Sequence, residues 1–207
     1  MVALREAPAP GRLLEWAVSA ATLPGQAESG DLHFVKGLRQ RVLLAVVDGL
    51  GHGDEAAVAA RAAVAALEHS ADEPVAALLA RCHEELKKTR GAAINLVSVD
   101  AKEDTLTWVG VGNVAGVLIG ASGGGREGLI TRAGVVGLHL PPLRSVTLPV
   151  ARGATLILAT DGVRGSFTED LSSGGSPHRT AQEILDRHWK GTDDALVLVA
   201  RYLGAGK

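Results

Sequence analysis

Two aliphatic runs in this 207-residue chain each end in Asp-Gly: residues 42–47 lead into Asp48-Gly49, and residues 155–160 lead into Asp161-Gly162. Runs so rich in Val, Leu, Ile and Ala belong in the buried middle of a sheet. The acid that ends each run must then stand at the sheet's edge, where water and ligands reach. Two carboxylates fixed at sheet edges constrain the fold and the chemistry together.

Two further acidic segments fit the same edge. Asp31 opens the segment 31–36, the chain turns through 37–40, and it returns as the strand that ends at Asp48. A hairpin would therefore set Asp31 beside Asp48. Asp193-Asp194 precedes the apolar run 195–200. If that strand pairs antiparallel with the one ending at Asp161, its acids meet Asp161 at the same edge. Like charges about 4 Å apart repel by roughly 4 kcal/mol at an effective dielectric near 20, so protons or cations must compensate. Mg2+ and Mn2+ favour carboxylate, carbonyl and water oxygens, and no Cys cluster or His pair at ligand spacing offers zinc a better site. The residues alone point to hard divalent metal.

Taken singly, each feature has a plainer reading. An isolated Asp-Gly is more often a hairpin turn, Asp31 could be a loop acid after Ser29-Gly30, and Asp193-Asp194 a solvated strand start. Their joint placement at one edge favours the metal site. A strand, glycine loop and helix over 42–67 could also suggest a nucleotide site. However, Gly49, Gly51 and Gly53 alternate strictly and match neither G-x-G-x-x-G nor the P-loop, and Asp48 would repel a phosphate with no metal between them.

Asp31, the segment Val47-Asp48-Gly49-Leu50-Gly51-His52-Gly53, the segment Thr160-Asp161-Gly162-Val163 and Asp193-Asp194-Ala195 resemble, in that order, the motif series of the metal-dependent type 2C (PPM) protein phosphatases. The bacterial sporulation and sigma-factor regulatory branch is the nearest. The likeness runs from about Trp16 to Tyr202. With no sensor or coiled-coil region ahead of the motifs, it is strongest to the short free-standing stressosome phosphatases of RsbX type.

The resemblance implies two Mn2+ or Mg2+ ions as cofactors. Asp48 would bridge them, and the Gly49 carbonyl would bind one. Asp31, Asp161 and Asp193 would complete the shell directly or through water, with Asp194 as the alternative to Asp193. Asp48 and Asp161 are then the expected catalytic residues. The implied activity is one-step hydrolysis of phosphoserine or phosphothreonine by water activated between the metals. The implied partners are phosphorylated scaffold or antagonist proteins of a stressosome, or an anti-sigma-factor antagonist outside one. A non-catalytic phosphoprotein-binding module of the same fold is the alternative, and the filled acid positions argue against it.

Two departures matter. Many eukaryotic members carry His directly after Asp-Gly, where this chain has Leu50, and His52 receives no general-acid role. The amino-terminal Arg that clamps phosphate elsewhere has no clear counterpart, which leaves Arg164 or His33 as candidates. The lone Cys82 lies in an amphipathic stretch without a Cys-x5-Arg loop, so a cysteine-based phosphatase is excluded.

Between the motifs the pattern reads as scaffold. Residues 56–67, almost pure Ala and Val, suit a closely packed helix. Residues 73–88 form a second helix with Pro74 in its first turn and a stripe of Val75, Leu78, Leu79, Cys82 and Leu86. Strands follow at 92–99, 105–111 and 114–119, joined by turns at 100–104 and Gly112-Asn113, which predicts an antiparallel meander. A glycine loop over 120–128, short strands within 129–150 and a helix over 176–189 complete the reading. The expected class is α+β, one domain over 1–207 with two stacked, mainly antiparallel sheets flanked by helices. The type 2C resemblance implies the same α/β/β/α sandwich. A net charge of -2 with three Trp, one Tyr and two Phe gives no platform for nucleic acid. No apolar run approaches 18 residues and the start lacks a leader pattern, so a cytoplasmic protein without a membrane anchor is expected.

Overall fold

The computed structural model describes residues 13–121, 124–169, 171 and 175–205. Among the described residues, ten strands divide equally between two sheets. One sheet runs β1 (Leu14–Ala21), β10 (Ala195–Tyr202), β9 (Thr155–Ala159), β6 (Ala115–Ile119), β7 (Arg126–Gly128); the other runs β2 (Asp31–Gly37), β3 (Arg41–Gly49), β4 (Ala92–Asp100), β5 (Thr105–Val111), β8 (Val146–Pro149). All the strand pairings within both sheets are antiparallel.

The two-residue period of each strand sorts its side chains into separate cores. On β3, Val42, Leu44 and Val46 face the other sheet and meet Leu156, Leu158, Leu196 and Leu198. Leu43, Ala45 and Val47 face outward, onto helices α1 (Asp54–His69) and α2 (Val75–Leu86). The opposite sheet turns Ile157, Ala159, Val197 and Val199 outward onto α3 (Pro177–His188). The layers are therefore helix, sheet, sheet, helix, as expected for the type 2C fold.

Local chemistry explains the helices. Alanines at 56, 57, 59, 60 and 63 let α1 lie close on its sheet. The stripe Val75, Leu78, Leu79, Cys82 and Leu86 is the buried face of α2, where burial pushes the Cys82 thiol up to about 12 and keeps it unreactive. Ser176 caps α3, its Oγ accepting from the Arg179 N–H, with Pro177 opening the first turn.

Two expectations need correcting, and one strand went unread. Residues 105–111 and 114–119 do not form one meander: β5 and β6 lie in different sheets, and Gly112-Asn113 carries the chain from one to the other. Gly112 takes φ +99°, and a Cβ there would come within 2.3 Å of the Ala93 Cβ, so the crossing depends on glycine. The glycine loop 120–128 contributes a strand, since β7 pairs with β6. The strand β1 lies in a segment not read as one, because its Ala- and Ser-containing sequence lacks a run of β-branched residues. Among the described residues no helix is long and apolar enough to cross a membrane.

Candidate metal centre

The two sheets bring the acidic motifs to one end of the sandwich. In the β2–β3 ladder Asp31 stands directly opposite Asp48, and Asp48 is opposite Ala93 on β4. Asp48 and Gly49 are still on the ladder, and the turn begins only at Leu50, whose N–H donates to the Gly91 carbonyl at 3.0 Å. From the other sheet, Asp161 follows β9 and Asp193-Asp194 precedes β10, strands that pair antiparallel. The Thr160 N–H donates to the Leu196 carbonyl at 3.0 Å, which sets the Asp161 segment against the start of β10.

These acids feel one another. Asp31 is only 5% exposed. Burial first, then the charges of Asp48, Asp194 and Asp193, push its carboxyl well above the ordinary carboxylate range, while the Thr160 hydroxyl works against the rise. Asp48 is pushed up to about 7, by burial and then by Asp161, Asp193 and Asp194. Among the described residues nothing donates a hydrogen bond to the Asp48 carboxylate and no cation pairs with it.

The remaining acids differ in what holds them. Asp161 Oδ2 accepts from Asn113 Nδ2 at 2.6 Å. Asp193 is half-buried, and its Oδ1 accepts the Asp194 N–H at 2.9 Å. Asp194 points the same way as Leu196 and Leu198, into the sandwich. Its Oδ1 accepts the Leu23 N–H and its Oδ2 the Gly30 N–H, both at 2.7 Å, so it pins both ends of the loop over residues 22–30.

Both Asp-Gly glycines are there for close approach, and neither has a positive φ. A Cβ on Gly49 would lie 2.1 Å from the Ala56 carbonyl oxygen on α1, and one on Gly162 would lie 1.8 Å from the Asp194 carbonyl oxygen. The first seats α1 against the acid edge. The second locks the two acidic segments of one sheet together.

Whether this edge suits divalent ions is a question of donors. Among the described residues no three His, Cys, Asp or Glu side chains already converge as a cage for one ion. The edge is an open arc of mutually repelling carboxylates, with Asp48 uncompensated at its centre. Hard ions that keep several water ligands need few protein oxygens each, and an open arc of this kind meets that requirement. The donor set therefore fits Mg2+ or Mn2+.

Other expected residues lie elsewhere. His33 sits on β2 with its ring against Trp16, centroids 5.8 Å apart. His52 is exposed in the turn before α1. Arg164 is exposed, with its backbone N–H donating to the His188 carbonyl at 2.9 Å. Sequence reasoning passed over Thr160, Asn113 and Lys190. The Thr160 hydroxyl donates to Asp31 Oδ2, Asn113 meets Asp161, and Lys190 Nζ donates to the Asp161 carbonyl. Thr160 was within reach of strand parity, since it continues the inward face of Leu156 and Leu158. Asn113 comes from a segment read as a turn, and Lys190 lies just past the helix read over 176–189.

A family model described as Stage II sporulation protein E (SpoIIE) matches residues 39–203. The chain belongs to the SpoIIE family. Within reach of this SpoIIE domain is phosphoserine phosphatase RsbX of Bacillus subtilis (strain 168), 26% identical over 169 residues that make up 77% of this chain and 84% of that one. A solved structure from the bacterial stressosome, described as a modular system adapted to control secondary messenger signaling, is 28% identical with TM-score 0.83, covering 91% of this chain and 99% of its own. RsbX in complex with magnesium superposes with TM-score 0.85 at 23% identity, covering 98% of this chain and all of its own (100%). SpoIIE membership, the type 2C fold and the similarity to RsbX make the chain a protein serine/threonine phosphatase of stress signalling.

Proposed function

We propose that this phosphatase removes phosphate from phosphoserine or phosphothreonine on a cytoplasmic regulatory protein, a stressosome scaffold or antagonist, at a two-ion centre built on Asp48. The observation that carries the reading is Asp48 itself. It is an uncompensated carboxylate facing Asp31 across a ladder, with its proton affinity raised by burial and then by Asp161, Asp193 and Asp194.

In this reading Asp48 and the Gly49 carbonyl would hold the ions from one sheet, and Asp161 and Asp193 from the other. Asp31 would add to the shell directly or through water, one of its two oxygens being engaged by Thr160. Asp194 serves as an anchor, both of its oxygens being occupied by backbone N–H groups. When bound, the ions neutralise phosphoryl charge and strengthen water as a nucleophile. The protein's own part is to keep the acids fixed and aimed. Asn113 orients Asp161, Thr160 orients Asp31, and the glycine contacts hold the acid-bearing segments in register. No side chain needs to carry the phosphoryl group. Cys82 is buried in α2, on the helix side of the sheet.

The test is phosphate release from a phosphoserine-bearing stressosome antagonist protein, with Mg2+ or Mn2+ and with chelator. Metal-dependent release by the parent, lost in Asp48→Ala and Asp161→Ala, supports the reading. A folded, metal-loaded parent that is inactive on phosphoproteins and on aryl phosphate would leave only a binding module.

A further inference from the structure

We propose that Lys190 is the cation that receives the substrate's phosphate beside the metal centre, a role the sequence motifs leave unfilled. The inference rests on the phosphatase reading above and names one more residue of that site.

A phosphomonoester arrives with a charge between about -1.5 and -2 at neutral pH, at an edge lined by carboxylates. It needs a positive group fixed beside the ions. Two cations on the α1 side of this edge are committed elsewhere: Arg90 pairs with Glu55 and Arg61 with Glu28. Lys190 is placed differently. The chain leaves α3 at Trp189, which bridges antiparallel to Val163, and the Lys190 N–H donates to the Gly162 carbonyl at 2.9 Å. Trp189 Nε1 donates to the Asp193 carbonyl at 3.0 Å and so closes the turn that leads back to the acids. The backbone of Lys190 is thus anchored between Gly162 and Asp193, with its side chain exposed.

Its Nζ donates to the main-chain carbonyl of Asp161. Among the described residues it makes no ion pair, so the Asp161 carboxylate stays available and the ammonium keeps two hydrogens for another acceptor. Arg164, another exposed cation, sits one step further out, its backbone opposite His188, whereas that of Lys190 is opposite Gly162. An ammonium held by a backbone carbonyl next to a metal-site acid is well placed to bind the unesterified oxygens of a phosphate.

The experiment compares the Mg2+-loaded parent with Lys190→Met, which keeps the stem and drops the charge, and with Lys190→Arg. Lys102→Ala, at the far β4–β5 turn, controls for net charge. On a phosphoserine peptide, Lys190→Met should raise KM and the inhibition constant of inorganic phosphate by about tenfold. Its kcat should stay within about twofold and its Mg2+ half-saturation should not change. Lys190→Arg should restore most of the loss. Inorganic phosphate should raise the melting temperature of the parent, and of Lys102→Ala, but not of Lys190→Met. Unchanged KM and phosphate inhibition, or a shift in Mg2+ half-saturation alone, would overturn the proposal, the latter by giving Lys190 a purely structural hold on Asp161. If the parent itself hydrolyses nothing, the phosphatase reading fails, while the phosphate-dependent melting shift still decides for or against Lys190.

Discussion

The Thr160 hydroxyl donates to Asp31 Oδ2 at 2.7 Å and accepts the Leu196 N–H at 2.9 Å, joining the two sheets through one buried side chain. Thr160 is 1% exposed, so neither partner has water as a substitute. Thr160→Val keeps the shape and leaves a carboxylate oxygen and an N–H unmet. It should lower stability by about 3 kcal/mol and weaken Mg2+ binding, as read by urea denaturation and metal titration. Thr160→Ser should retain most of both. Equal losses in Val and Ser variants would show that the methyl packing matters and the hydroxyl does not.

The neighbouring acids Asp193 and Asp194 should part company when mutated. Successive side chains of an extended segment point in opposite directions, and only Asp194 fastens Leu23 and Gly30. Asp194→Ala should cost about 3 kcal/mol of stability. Asp193→Ala should leave the metal-free protein as stable as the parent or more so, because a repelling charge is removed, yet abolish metal-dependent turnover. Calorimetric melting with and without Mg2+, beside an activity assay, separates the two. The reverse pattern would exchange their roles.

This division marks the limit of what the chain disclosed before its fold was known. The ladder partnership of Asp31 and Asp48 was legible, because a hairpin of alternating residues fixes its own register. Asp193 and Asp194 are indistinguishable as letters, since only strand parity relative to a core decides which one turns inward. Gly112-Asn113 has the chemistry of a tight turn, and only the packing of Ala93 shows that it is a passage between sheets. The Asn113–Asp161 contact spans 48 positions and leaves no local trace. The strand β1 went unread because its residues have little intrinsic strand preference and are held by pairing with β10 along its whole length.

Stability without metal should depend on pH in a definite direction. Asp48 rises from an ordinary 3.8 to about 7 on folding, and Asp31 rises too. Between about pH 4 and 7 the native state therefore holds more protons than the unfolded chain, and stability falls as pH rises through that window. In chelator, the melting temperature of the parent relative to Asp48→Asn should climb as pH is lowered from about 7.5 to 5.5. Saturating Mg2+ should flatten that difference, since ions displace the protons. A relative melting temperature that falls on acidification would contradict the assigned burial and repulsion.

The motif glycines should resist substitution for steric reasons. Ala at Gly49 or Gly162 places a Cβ 2.1 Å from the Ala56 oxygen or 1.8 Å from the Asp194 oxygen. Each should cost at least about 2 kcal/mol by forcing backbone apart. Gly37→Ala, where a Cβ meets nothing within 4 Å, should be close to neutral. Chemical denaturation of the three variants checks this, and tolerance at Gly49 would show that α1 is free to move off the acid edge.

Whether Asp48 stands between two ions shared by both sheets can be read from anomalous diffraction of crystals grown with Mn2+. Two manganese peaks are expected, bridged by the Asp48 carboxylate, with Asp161 and Asp193 on the same pair and Asp194 still bound to Leu23 and Gly30. Peaks absent from this edge at saturating Mn2+, or a single ion that Asp48 does not touch, would contradict that arrangement.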